Sequence, residues 1–317
     1  MTYPPFAMVF PGQGSQSVGM MAGYGDHPVV QEILDRASRV LGQDMARLMR
    51  EGPVEELGRT VNTQPVMVTA GYATWQLWLA LGGPTPSVVA GHSLGEYTAL
   101  VAAGALTLEQ CLPLVRFRAE AMQAAVPLGT GAMAAVLGLD DDSIRAACAE
   151  AAQGEVVEAV NFNAPAQVVI AGHSAAVERA GVAAKARGAK RVVNLPVSAP
   201  FHSSLLTPAA ERLRERMAGM PFTTPAIEVI HNVDVHSHPS EEAIRHALVE
   251  QANHPVLWAD TLRAIAERGI RQVIECGPGK VLAPLARRTD ERLNGSALVD
   301  RDSIEKAILA LTQAQPS

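Results

Sequence analysis

Only three of the 317 residues are cysteine, and Cys111, Cys148 and Cys276 stand far apart with no C-x-x-C pair. An odd, scattered set excludes a disulfide framework and a cysteine-built zinc site, and favours a reducing compartment. No charge sign dominates either. The 26 basic and 32 acidic residues are interspersed, for a net charge of −6. That balance speaks against a nucleic-acid binder or an acidic tail, so any phosphate-bearing ligand needs a local basic patch. No apolar run approaches the ~18 residues of a membrane span, and the opening "MTYPPFAMVF" has no basic n-region of a signal peptide. A soluble, unanchored, cytoplasmic protein is expected. Internal repeats and low-complexity tracts are lacking, and only the terminal "TQAQPS" is expected to fray.

With 48% hydrophobic residues the chain can bury a large core. Short β-rich runs at Phe6 to Phe10, Ser87 to Ala90, Ile227 to Ile230, Val273 to Glu275 and Ala297 to Val299 are separated by long helical patterns. This alternation predicts an α/β fold whose largely parallel sheet is covered by helices. Between about Ala132 and Val197 the rhythm becomes βαββαβ, the ferredoxin-like α+β order. The expected organisation is a core over residues 1–129 and 198–317, interrupted by a ferredoxin-like subdomain over 130–197, with a ligand cleft between them.

"SVVAGHSLGEYTALVAAGAL" places Gly91-His92-Ser93-Leu94-Gly95 between a strand-like run and a helix-forming one. This is the context of a G-x-S-x-G elbow, where glycines clear space around a serine raised on a tight turn. The Leu94 N–H, at a helix start, is an expected oxyanion donor. A glycine-flanked structural turn is the alternative. Gly172-His173-Ser174-Ala175-Ala176 repeats the first three letters without the closing glycine, and reads as a turn capping the next helix.

A serine nucleophile needs a base within hydrogen-bond reach. Of nine histidines, His27, His231, His236, His238, His246 and His254 lie in polar stretches expected to be exposed, and His173 belongs to the second turn. A metal cluster of His231, His236 and His238 lacks an i, i+4 pair and a carboxylate partner, so no metal is expected. His92 adjoins the serine and should point away from it. His202, in "LPVSAPFHSSLL" beyond the last subdomain strand, remains the candidate base, with a satisfied structural histidine as the alternative.

The helix beginning at Thr107 opens with a capping-box pattern, "TLEQ". Its apolar stripe of Leu114, Val115, Ala121, Met122 and Ala125 contains Arg118. A guanidinium there needs a partner, either an Asp or Glu of the protein or a substrate carboxylate held in a bidentate clamp. After the first strand, Gly12-Gln13-Gly14 is followed by glycine only at Gly19, two positions late for a dinucleotide fingerprint. This loop is instead expected to offer Gln13 as a second oxyanion donor.

The segments "FPGQGSQSVGM", "GHSLGEYTALVAAGAL", "RFRAEAMQ", "GTGAMAAVLGLD", "VNFNAPAQVVIAG", "PVSAPFH", "HNVDV" and "ECGPGKVL" occur in an order that spans nearly the whole chain. Together they resemble the malonyl-CoA:acyl carrier protein transacylases of bacterial type II fatty-acid synthesis. The resemblance implies an α/β-hydrolase-like core with a ferredoxin-like insertion. It implies Ser93 as acyl-accepting nucleophile, His202 as base, Arg118 as the malonate clamp, and the Gln13 and Leu94 N–H groups as the oxyanion hole. Gln251 matches the position that orients the histidine, in a Ser-His pair without a third carboxylate. The implied reaction is ping-pong transfer from malonyl-CoA to acyl carrier protein, with coenzyme A as part of the substrate and no bound cofactor. Phe201 matches malonyl-selective relatives. A monomer is expected, and Lys190, Arg191, Lys280, Arg287 and Arg288 are candidates for contacting the acidic carrier, against solvated surface charge as the alternative. An acyl hydrolase, a malonyltransferase serving another pathway, and a non-catalytic binding protein are the competing classes.

Overall fold

Strand β1 (Phe6–Phe10) is buried along its whole length because it sits at the centre of a sheet covered on both faces. Its alternation divides the core. Phe6, Met8 and Phe10 join one hydrophobic cluster, while Ala7 and Val9 join another across the sheet. The computed structural model describes residues 3–197 and 199–313. Residues 1, 2, 198 and 314–317, and with them three of the expected segment ends, lie outside it.

The other strands are β2 (Val88–Gly91), β3 (Gly131–Leu137), β4 (Val157–Ala164), β5 (Gln167–His173), β6 (Arg191–Asn194), β7 (Glu228–Ile230), β8 (Gln272–Cys276) and β9 (Asn294–Leu298). Among the described residues, one sheet has five parallel strands in the order β7-β2-β1-β8-β9. The second has four antiparallel strands in the order β4-β5-β3-β6. The βαββαβ rhythm is thus realised as a ferredoxin-like sheet. Strand β9 starts three residues earlier than the apolar run at Ala297 suggested. As an edge strand it pairs only with β8, so its polar start at Asn294 can stay exposed while its backbone is held by Gln272. At the C-terminus the helix Arg301–Gln313 includes Thr312 and Gln313, the first two residues of the stretch expected to fray.

Helices Asp141–Ala152 and Ser174–Ala186 bury their alanine-rich faces on one side of the antiparallel sheet. Its other side presents Met133, Val160, Val169 and Ala171, packed with Leu195, Val197 and Phe201. Backbone bonds join the two sheets' surroundings: Phe162 N–H donates to the Val256 carbonyl at 3.0 Å, and Val256 N–H to that of Val160 at 2.8 Å.

Candidate active site

Strand β2 ends at Gly91 and a helix runs from Gly95 to Ala102, leaving three residues to turn the chain. Ser93 takes a left-handed φ of 51° there, a conformation costing a non-glycine residue about 1–3 kcal/mol. Both glycines are sterically obligatory. A Cβ on Gly91 would fall 1.9 Å from the Gly95 carbonyl carbon, and one on Gly95 would fall 2.0 Å from the Phe10 oxygen. Asn232 clamps the turn: its Oδ1 accepts from the Ser93 N–H and its Nδ2 donates to the Gly91 carbonyl, each at 2.7 Å.

His202 also has a left-handed φ, of 66°, and its Nε2 lies 2.6 Å from Ser93 Oγ. Its Nδ1 lies 2.8 Å from the Gln251 carbonyl. A carbonyl only accepts, so Nδ1 carries the proton and the Nε2 lone pair faces the serine hydroxyl. Burial, and after it the Arg118 charge, pushes the His202 pKa down to about 3. The imidazole is therefore kept neutral at ordinary pH, the form in which it accepts a proton. His92 points elsewhere. Its Nε2 is 2.8 Å from Asn163 Oδ1 and its ring meets Trp258 edge-on, which ties the elbow to β4.

Arg118 lies in the helix Leu108–Ala124, which starts with the complete Thr107–Gln110 capping box. Only 2% exposed, it has no carboxylate within ion-pair distance among the described residues, so a protein Asp or Glu is not its partner. Neutral oxygens hold it instead. Nη1 donates to Gln64 Oε1 at 2.9 Å, and Nη2 to Gln251 Oε1 at 3.0 Å and Ser93 Oγ at 3.3 Å. The cation also sits 5.3 Å from the centre of the Tyr97 ring. Burial lowers its pKa, while guanidinium remains a cation across the physiological range. The result is a buried positive charge with no counter-ion beside the serine.

A cavity of about 120 Å³ joins these groups, lined by Ser93, His202, Arg118, Gln13, Leu94 and Phe201, with Met133 and Asn161 from the antiparallel sheet. This small space suits a small acyl group. A larger cavity of about 360 Å³ lies between Pro4, Arg271, Ile274 and Leu311. Its lining has no histidine, cysteine or carboxylate, so size alone does not select the reactive site. Lys190, Arg191, Lys280, Arg287 and Arg288 are exposed and none lines the cavity at Ser93.

Two expectations for the histidines after β7 are overturned: they do not all lie exposed, and carboxylate partners are present, with Asp234 Oδ2 2.7 Å from His238 Nε2. His231 is fully buried, with Nδ1 2.7 Å from Glu96 Oε1, because the chain leaving β7 crosses directly over the elbow helix. The polar letters around it suggested exposure, and its partner is 135 residues away. Sequence reasoning also missed Gln64, Glu96 and Asn232. Glu96 offered the one available signal, a carboxylate immediately after the elbow.

Residues 7–308 match the acyl transferase domain family. The malonyl CoA-acyl carrier protein transacylase of Salmonella typhimurium is 50% identical over 304 residues, covering 96% of this chain and 98% of that protein. Among solved structures, the acyl-carrier-protein S-malonyltransferase of Burkholderia pseudomallei has a TM-score of 0.95 at 58% identity, covering 96% of this chain and 99% of that one. A malonyl-transacylase in complex with its type II polyketide acyl-carrier protein has a TM-score of 0.95 at 50% identity, with 96% and 99% covered. Nearly the whole chain aligns in sequence and backbone with these proteins, and it belongs to the malonyl CoA-acyl carrier protein transacylase family of acyltransferases.

Proposed function

We propose that this chain moves malonyl from coenzyme A to the phosphopantetheine thiol of an acyl carrier protein, with Ser93 as the covalent way station. The observation that carries the reading is the 2.6 Å Ser93–His202 contact in a small cavity that also holds the uncompensated Arg118.

In the first half-reaction His202 Nε2 takes the Ser93 proton as Oγ attacks the malonyl thioester carbonyl. The developing oxyanion is met by the Gln13 and Leu94 N–H groups, each contributing about 3 kcal/mol by the scale of measured oxyanion donors. Collapse expels the coenzyme A thiolate, which takes the proton from His202, and leaves a malonyl-serine ester. In the second half His202 deprotonates the carrier thiol, the thiolate attacks the ester, and Ser93 recovers its proton. Arg118 binds the free malonyl carboxylate through charge-assisted hydrogen bonds. An acetyl group would leave the guanidinium buried and unpaired, so a preference of a few kcal/mol for malonyl follows. The Gln251 carbonyl holds His202 in the productive tautomer, the task a carboxylate performs in a triad.

In this reading residues 1–129 and 198–317 form the catalytic core and 130–197 the subdomain that roofs it, working as a cytoplasmic monomer with no resident cofactor. Fatty-acid elongation is the consumer of the product. Supply to a polyketide carrier is the second reading, supported by the 50% identity to the malonyl-transacylase solved with such a carrier.

The test is intact-protein mass after brief exposure to malonyl-CoA, followed by a chase with phosphopantetheinylated carrier. A malonyl adduct that requires Ser93 and moves to the carrier is expected. An adduct that decays as fast without carrier would make the chain a hydrolase, and the absence of any adduct would leave only a binding role.

A further inference from the structure

The two glutamine oxygens that hold Arg118 do not point at it by accident of packing. An amide can present either end, and Gln251 is committed by the acceptors behind it, whereas Gln64 is backed by a hydroxyl that can donate or accept. Gln64 Nε2 donates to Thr60 Oγ1 at 3.2 Å, and the Thr60 hydroxyl donates to Gln13 Oε1 at 2.9 Å. Gln251 Nε2 donates to Glu96 Oε2 and to the Ser93 carbonyl, both at 2.9 Å. Glu96 is fully buried in the first turn of the elbow helix, and its carboxylate can only accept. It is held at both oxygens, by His231 Nδ1 at 2.7 Å on Oε1 and by the Asn232 N–H at 2.9 Å on Oε2. The carboxylate is therefore pinned, and together with the Ser93 carbonyl it offers the Gln251 side chain only acceptors, which sets the NH₂ group toward them.

We infer that Glu96 is a positioning residue for acyl selection: it fixes the direction of the Gln251 amide, so that an oxygen rather than an NH₂ group meets Arg118. Donors converge on Glu96 from two sides, His231 on Oε1 and the Gln251 amide on Oε2, and Arg118 in turn donates to the Gln251 oxygen. This network reaches Arg118 without placing a second negative charge within ion-pair distance of it, which leaves the cation free for a substrate carboxylate. Gln251 keeps its other task separate, because its backbone carbonyl serves His202 while its side chain serves Arg118. A glutamine at position 96 has nearly the same shape but can offer its own NH₂ to Gln251. With one acceptor oxygen lost, position 96 can no longer accept from His231, Asn232 and Gln251 together, and the Gln251 amide is held in its direction by the Ser93 carbonyl alone.

The inference rests on Arg118 being the malonate clamp, and the experiment separates the two. The quantity read is the ratio of kcat/KM for malonyl-CoA to that for acetyl-CoA in loading Ser93, for Glu96→Gln, Arg118→Ala and the double variant. Glu96→Gln is expected to lower the ratio about ten-fold, chiefly by raising KM for malonyl-CoA, and to change it less than two-fold once Arg118 is already alanine. Gln251→Met, which retains the backbone carbonyl on His202, should lower the ratio likewise and serves if Glu96→Gln does not fold. A ratio unchanged by both single variants at positions 96 and 251, while Arg118→Ala lowers it, overturns the positioning role and spares the clamp. An equal fall in the ratio with and without Arg118 overturns it too, since the effect would not pass through the arginine. A ratio insensitive to Arg118→Ala overturns both.

Discussion

Gly91-His92-Ser93 and Gly172-His173-Ser174 spell the same tripeptide, each at the end of a strand and the start of a helix, yet they build different objects. The first glycine is obligatory in both. A Cβ at Gly172 would fall 2.0 Å from the Val156 oxygen, as tight as the contacts at Gly91. The copies part at the fifth position. Gly95 lets the elbow helix start against the backbone of β1, and the chain must turn through a left-handed Ser93 to get there. Ala176 is buried in the subdomain core, so the helix after β5 packs by its side chains and needs no strained turn. Ser174 becomes the first helical residue. The turn was expected to cap that helix, but the N-cap residue His173 makes no side-chain cap bond, and the Ser174 hydroxyl donates to the carbonyls of Gly129 and Thr130 at 3.1 Å. What sets the elbow serine apart is the closeness of helix to neighbouring strand, and the letter that records it is the last glycine.

The sharpest test of this contrast removes each hydroxyl in turn. Ser93→Ala should abolish the malonyl adduct and lower turnover by about 10⁴-fold or more, whereas Ser174→Ala should leave transfer within about two-fold, as expected of surface-proximal changes. Comparable losses from both would erase the distinction. Next in size, Arg118→Ala should lower the malonyl-to-acetyl loading preference about 100-fold, the scale of a few kcal/mol. Nothing like Arg118 accompanies Ser174, so the substitution tests whether the elbow is also a selector. A third comparison probes the fifth position itself. Gly95→Ala should destabilise by about 3 kcal/mol, the upper range for overpacking, against about 1 kcal/mol for Ala176→Gly in its helix, as read from urea unfolding. Equal costs would show that the Phe10 contact does not decide the turn.

The smallest expected effect concerns pH. Because the fold lowers the His202 pKa from its ordinary 6.5 to about 3, the neutral base persists as the medium is acidified. Serine loading should show no histidine inflection between about pH 5 and 7, where an unperturbed imidazole titrates. The sign for stability is the opposite of a salt-bridged histidine. The unfolded state binds this proton more readily, so stability associated with His202 is lost as pH falls from about 6.5 towards 3. An inflection near 6.5 in the rate of adduct formation would show that the imidazole is not desolvated in solution.

Much of the site was legible before any coordinates. Strand β1 coincides with the apolar run at Phe6, the βαββαβ segment with its change of rhythm, and Arg118 with a charge in an apolar stripe. Each of these is a local matter of periodicity. Ser93 was legible because steric demand writes itself into adjacent glycines. His202 was reached by elimination, by its place beyond the last subdomain strand and by the family resemblance of "PVSAPFH", since no local periodicity marks a candidate base.

By itself, then, the sequence determined where strands and helices alternate, the tight serine turn and a buried cation, all of which follow from patterns within a turn or two of chain. Tertiary structure decided which groups meet. Gln251 finds Glu96 across 155 residues, Arg118 across 133 and Ser93 across 158, while Asn232 reaches Ser93 across 139. Such hydrogen bonds depend on the direction of donors and acceptors brought together by the crossing of β7, the elbow helix and the helix Glu241–Gln251, and no local pattern records that direction.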